Sequence, residues 1–127
     1  MANVIKLRKG LDIKLKGQAA ENVATLGVDG EYALVPQDFE GVTPKVVVSE
    51  GQHGKVGDAL FVNKNYPDVK FAAPVSGVVM AVERGERRRV LSVRIKADSK
   101  QEFVEFGACK VETMQGKDVI GKLLEAG

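Results

Sequence analysis

The stretch Glu50-Gly51-Gln52-His53-Gly54-Lys55-Val56-Gly57-Asp58, followed by Ala59-Leu60-Phe61 and later by Ala73-Pro74-Val75-Ser76-Gly77-Val78-Val79, decides the fold. Gly-Asp and Pro-x-Ser-Gly mark strand ends that need tight backbone geometry. Gly supplies positive φ, Pro holds φ near −65°, and Asp or Ser side chains bond local amides. The turns come so often that every strand between them is about four to six residues long, which suits a flattened barrel or a sandwich of two small sheets.

Working outward, Lys45-Val46-Val47-Val48, Ala59-Leu60-Phe61-Val62, Val69 to Ala72 and Val78 to Val82 read as strands, because β-branched residues pack well on a pleated surface. Glu50 to Asp58 reads as a turn-rich link, and Asn63-Lys64-Asn65-Tyr66-Pro67-Asp68 as a polar hairpin tip. Glu83 to Arg89 reads as a charged hairpin pivoting on Gly85. Leu91, Val93 and Ile95 alternate with Ser92, Arg94 and Lys96, which predicts one buried and one wet face.

Upstream, residues 4 to 16 read as a two-strand hairpin turning at Lys9-Gly10, and residues 17 to 31 as an irregular connection. Tyr32 to Val35 is a short apolar run closed by Pro36. Downstream, Asp98 to Gly107 is a strand or a packing arm. Residues 117 to 125 predict a short helix, with Asp118 near its start and Val119, Ile120, Leu123 and Leu124 on one face. The expected organisation is residues 1–44 as hairpin and loops packing on the core, 45–97 as the β-domain, and 98–127 as an arm and helix leading to further domains.

Charge and composition narrow the function classes. The 19 basic and 17 acidic side chains nearly cancel, so any polyanion affinity has to come from a concentrated patch. The one such patch is Arg84, Arg87, Arg88 and Arg89 with Arg94. It lacks the interleaved aromatics of a single-strand nucleic-acid binder, so no nucleic-acid partner is expected. Its candidate role is docking a partner, while its bland reading is a solvated hairpin partly neutralised by Glu83 and Glu86. A single Cys109 excludes an internal disulfide and cannot build a cluster site alone. His53 is the one His, and its flanking glycines place it on an exposed loop. No apolar run is long enough to span a membrane. No catalytic, cofactor-binding or metal-ligating residue is expected in this segment.

Residues 45–95 resemble the biotinyl/lipoyl-like barrel-sandwich hybrid domains, in which an E-G-x-x-V-x-x-G-D-x-L segment leads to a hairpin and A-P-x-x-G follows. The resemblance implies a mainly-β barrel-sandwich hybrid, to which the flanking residues add an irregular N-terminal extension and a short C-terminal helix. In those carriers the hairpin tip bears an acylated lysine. Here that position falls on Tyr66, and Lys64 lies two residues away, which displaces the side chain roughly 6 to 7 Å along the strand. Lys64 is therefore expected to be unmodified.

A finer resemblance runs along most of the chain. Met1 to Ile13, Gly57 to Lys64, Ala73 to Gly77 and Ala81 to Arg88 are similar to the N-terminal part of the A subunit of the bacterial Na⁺-translocating NADH:quinone oxidoreductases. One departure is Gln52-His53-Gly54, where that family usually has a Val near Gly54. The resemblance implies a soluble protein on the cytoplasmic side of the bacterial inner membrane, peripheral through its complex. Its partners would be the other subunits. The complex passes electrons from NADH to ubiquinone and exports Na⁺, with flavins and an iron–sulfur centre held by other subunits. The alternatives are a lipoyl or biotinyl carrier modified at Lys64, a piece similar to the C subunit of Rnf electron-transport complexes, and a nucleic-acid-binding β-barrel using the arginine hairpin.

Overall fold

Short β-branched runs closed by glycine and proline yield short strands. The computed structural model describes residues 6, 8–10, 13, 15–27 and 30–127. Its strands are β1 (Glu31–Leu34), β2 (Pro44–Val46), β3 (His53–Gly54), β4 (Ala59–Asn63), β5 (Lys70–Ala72), β6 (Gly77–Arg84) and β7 (Val90–Ala97), and one helix follows, α1 (Gly116–Ala126). They form two antiparallel sheets, one ordered β1-β7-β6-β3 and the other β2-β4-β5. The fold is the expected mainly-β barrel-sandwich hybrid with a short C-terminal helix. Much of the hairpin expected over residues 4–16 lies outside the described residues.

The core is made by Leu60, Phe61, Ala73, Val75, Val79, Val90, Val93 and Ile95. Phe61 is fully buried and stacks on Phe71 with ring centroids 4.7 Å apart. Phe39 closes this aromatic group, 4.6 Å from Phe71.

Three β-bulges decide which side chains reach the core. Ala59 pairs with Ala72 but Phe61 with Phe71, so Leu60 is an extra residue in β4. Consecutive Leu60 and Phe61 are consequently both buried, which strict alternation forbids. In β6, Val79 faces Ile95 and Ala81 faces Arg94, leaving Met80 extra and partly exposed. In β7, Ser92 faces Glu83 and Val90 faces Arg84, leaving Leu91 extra.

That last bulge corrects the predicted face. Val93 and Ile95 are buried as expected, but Leu91 is turned out and Val90 replaces it in the core. Periodicity alone carries no sign of an inserted residue, and a one-residue insertion inverts every side chain beyond it.

The link from Glu50 to Asp58 also differs from expectation, because it contains β3. His53 pairs with Val78 and Gly54 with Gly77. Gly51 N–H donates to Val79 O at 2.8 Å, and Val79 N–H returns a bond to Gln52 O at 2.9 Å. This strand exists through pairing with β6, since His and Gly carry little strand preference of their own. Glu50 Oε1 accepts Val82 N–H at 2.9 Å, just past the Met80 bulge. In the turn before β4, Gly57 takes φ +98° and Asp58 Oδ2 accepts Lys55 N–H at 2.7 Å.

Residues 98–107 form an arm. Val56 N–H donates to Glu102 O and Val104 N–H to Val56 O, both at 2.9 Å. Helix α1 spans one residue more at each end than predicted, and its Gln115 and Asp118 form a reciprocal capping box. Val119 and Leu124 are half-buried, while Ile120 and Leu123 are exposed.

Gly77 is the tightest backbone approach. A Cβ there would sit 1.9 Å from Lys96 O. Gly77→Ala is expected to lower the unfolding free energy by about 3 kcal/mol, since β6 and β7 must separate locally to admit the methyl. Gly121, inside α1, has open space around it. Gly121→Ala is expected to raise stability by about 0.5–1 kcal/mol through helix preference alone. Urea denaturation followed by circular dichroism measures both, and a neutral Gly77→Ala contradicts the close approach.

Candidate functional site

The polar hairpin of the sequence is the β4–β5 connection. Asn63, buried at its base, organises it: Oδ1 accepts Asn65 N–H at 3.1 Å, O accepts Tyr66 N–H at 3.1 Å, and N–H donates to Val69 O at 3.0 Å. Lys64 N–H bonds Thr43 O at 2.7 Å, which ties the tip to the loop before β2. The Lys64 side chain is exposed, and Tyr66 is 69% exposed. The structure thus brings both candidate tip residues to one solvated turn.

The second hairpin, between β6 and β7, carries the arginines. Gly85 N–H bonds Arg89 O at 2.8 Å, and Arg89 N–H bonds Glu86 O at 3.1 Å. Between them Arg87 (φ 54°) and Arg88 (φ 61°) both adopt left-handed backbone, so residues 86–89 form a turn of type I′. That turn matches the twist of the hairpin but favours Asn-Gly at its centre. A left-handed L-residue costs about 1–2 kcal/mol. Arg84 donates from its guanidinium to Arg88 O at 3.2 Å, bracing the turn.

Arg84, Arg87, Arg88 and Arg89 are together at this tip and exposed. Arg94 stands apart on β7, ion-paired with Glu31 of β1 and with Glu83, the latter at 3.3 Å. Glu83 also accepts from Ser92 Oγ at 2.7 Å. The Ser92 hydroxyl, then Arg94, holds the Glu83 carboxyl below its ordinary pKa, and Glu31 foremost holds the Arg94 guanidinium up. Of the partial neutralisation expected of Glu83 and Glu86, the Glu83 half is seen, at Arg94 and not at the tip. Glu83 is committed to Arg94 and Ser92, and among the described residues Glu86 makes no ion pair. The pairing across β7 joins residues far apart in sequence, so local charge counting misses it.

The two tips flank a groove of about 580 Å³. Arg84, Lys45 and Lys64 line it together with Pro44, Val46 and Val90. Past Pro44 and Val90 a smaller hollow of about 200 Å³ holds Arg89 and Glu40.

A separate cleft of about 180 Å³ opens between the sheets, with Leu60, Val75 and Val79 inside and His53 and Asp58 in its lining. His53 Nε2 lies 2.6 Å from Asp98 Oδ2, so the ring is engaged with the C-terminal arm rather than free on a loop. Fully buried Ser76 anchors the same arm. Its N–H donates to Gln101 Oε1 at 2.7 Å, and its Oγ accepts Glu102 N–H at 3.0 Å and donates to Asp98 Oδ2 at 3.4 Å. These contacts span 22 to 45 residues of sequence and have no local signature. Cys109 is exposed. Among the described residues, no three His, Cys, Asp or Glu side chains gather as a metal set, and no helix is long and apolar enough to cross a membrane.

Residues 5–98 match the family model described as the NqrA N-terminal barrel-sandwich hybrid domain. The chain is 35% identical over 128 aligned positions to the NqrA subunit of the Na(+)-translocating NADH-quinone reductase of Serratia proteamaculans, covering 98% of the chain and 28% of that relative. It is 34% identical to the corresponding protein of Pseudomonas aeruginosa and 32% identical to that of Haemophilus influenzae, with the same 98% and 28% coverage. The chain thus spans 28% of the length of these relatives.

Replacing Arg87-Arg88 by Asn-Gly is expected to raise the unfolding free energy by about 1–2 kcal/mol, since it relieves two left-handed side-chain residues. An unchanged or lower urea midpoint contradicts a strained turn. For Glu83, whose folded pKa is depressed, the stabilisation is present above the ordinary carboxylate value of 4.5 and is lost as pH falls through the folded value. Glu83→Gln is therefore expected to lower the melting temperature at pH 7, with the gap to wild type closing on acidification below pH 4.5. A gap that widens in acid contradicts the assignment.

Proposed function

The chain belongs to the NqrA N-terminal barrel-sandwich hybrid family, and from that premise we propose that it forms the N-terminal part of the NqrA subunit of a Na⁺-translocating NADH:quinone reductase, serving there as an assembly module. The complex would couple electron transfer from NADH to ubiquinone to Na⁺ export, with this segment facing the cytoplasm and held at the inner membrane through its partner subunits. Residues 45–97 would be the body of the module, with residues 98–127 leading towards the remainder of the protein.

One observation carries the assembly role. The frame resembles that of a cofactor carrier, yet by that resemblance the carrier lysine's position falls on exposed Tyr66, two residues from Lys64, whose backbone is tied to Thr43. A ligase reads a lysine at a fixed place on the tip, so this geometry disfavours acylation and leaves the tip as a contact surface. An iron–sulfur cluster takes several thiolates, and the chain has one Cys. The iron–sulfur centre of the complex would therefore lie in another subunit, and the family resemblance implies the same of the flavins.

Two measurements test this reading. Intact mass of the protein from cells with active lipoyl and biotinyl ligases is expected to equal the sequence mass, and an added lipoyl or biotinyl group would return it to the carriers. Deleting the gene is expected to abolish Na⁺-stimulated NADH:quinone reduction in membranes and to release the partner subunits from one another. Membranes that keep full Na⁺-stimulated activity would remove the chain from the complex.

A further inference from the structure

We propose that the groove between the two hairpin tips is the docking site for an extended acidic segment of a partner protein, with carboxylates on Arg84, Lys45 and Lys64 and apolar side chains on Pro44, Val46 and Val90. The proposal rests on the assembly role and names the chemistry of the partner.

Charge complementarity identifies the occupant. Among the described residues, three cations line the groove and no carboxylate does. Among the same residues, neither Arg84, Lys45 nor Lys64 takes part in an ion pair. Of the two hairpin acids, Glu83 is already held by Ser92 and Arg94, and Glu86 is not in the groove's lining. Arg84 is fixed at its Arg88 O bond, which presents a planar donor group at low entropic cost, and such a fork matches a carboxylate.

Shape argues for a peptide over a lipid surface. The cations stand over a concave apolar floor of Pro44, Val46 and Val90, about 580 Å³ in extent. A bilayer presents a broad face of headgroups, which reaches projecting tips but cannot enter a groove to cover its floor. A strand-like segment with alternating acidic and apolar side chains satisfies rim and floor together. The strained turn points the same way: Arg87 and Arg88 occupy left-handed positions that Asn-Gly would fill with less strain. Keeping arginine there adds two exposed cations to the hairpin that supplies Arg84, a reason in charge and not in stability.

The test uses the purified chain and a short fluorescein-labelled peptide of alternating Glu and Leu, followed by anisotropy. Saturable binding is expected, weakening severalfold between about 0.05 and about 0.2 M salt as exposed charge pairs are screened. A matching Lys-Leu peptide is expected not to bind. Arg84→Glu with Lys64→Glu is expected to weaken binding at least tenfold while circular dichroism shows the same folded β-structure at the assay temperature, whereas Lys117→Glu on α1 leaves affinity as it was. No binding of the Glu-Leu peptide, or equal affinity in the Arg84→Glu/Lys64→Glu variant, overturns the proposal. So does binding to vesicles of phosphatidylcholine with phosphatidylserine that the Glu-Leu peptide fails to displace, which would assign the cations to a lipid surface. The two failures are distinguishable: loss of Na⁺-stimulated activity on gene deletion with no peptide binding leaves the assembly role standing and removes this groove from it.

Discussion

Two backbones meet at Gly77 more closely than any side chain permits, with Lys96 O occupying the space of a Cβ. The rest of the molecule is indexed to this contact. Gly77 pairs with Ala97 on one side and with Gly54 on the other, so β3, β6 and β7 take their register from one residue. The residue before it, Ser76, is buried and receives the arm through Asp98, Gln101 and Glu102. From that anchor β6 and β7 run antiparallel to the far end, where the arginine turn closes them.

Between anchor and turn, two bulges adjust what the strands present. The extra Met80 in β6 and the extra Leu91 in β7 each invert the side-chain alternation. The combined effect is to keep Val79, Val93 and Ile95 inside, to bring Val90 into the core, and to expose Leu91 beside Gly85. With Val90 drawn inward, its neighbour Arg89 and the bracing Arg84 come to the rim of the grooves at the end of the sandwich. The rim of the groove and the core packing are therefore set by the same insertions.

Much of this architecture was legible. The Gly-Asp and Pro-x-Ser-Gly punctuation located β4 and β6, and apolar spacing located α1 to within a residue at each end. These signals are local: a turn needs its own residues, and a helix shows its own period. What stayed hidden was relational. The strand at His53-Gly54 exists only against β6, the outward Leu91 follows from a bulge, and the bond from His53 to Asp98 joins positions 45 apart. The candidate arginines were legible as residue types but not as a group, since removing Arg94 from the patch requires knowing that β1 lays Glu31 beside it.

The separation of Arg94 from the other arginines also explains how a chain of net charge +2 carries a directed positive surface. Arg94 sits mid-strand between two carboxylates, a placement that ties β1 to β7 and leaves little field to the solvent. Arg84, Arg87, Arg88 and Arg89 sit at a turn, where adjacent side chains fan outward and, among the described residues, none of them is ion-paired to an acid. Lys45 and Lys64 approach the same end from the other sheet. Near-balance in the whole chain thus coexists with local excess, because strand pairing neutralises charges in the middle of the sheet and cannot reach those at its ends. At that end Tyr66 is exposed on one hairpin and the arginines on the other, with Lys45, Lys64 and Arg84 lining the groove between them.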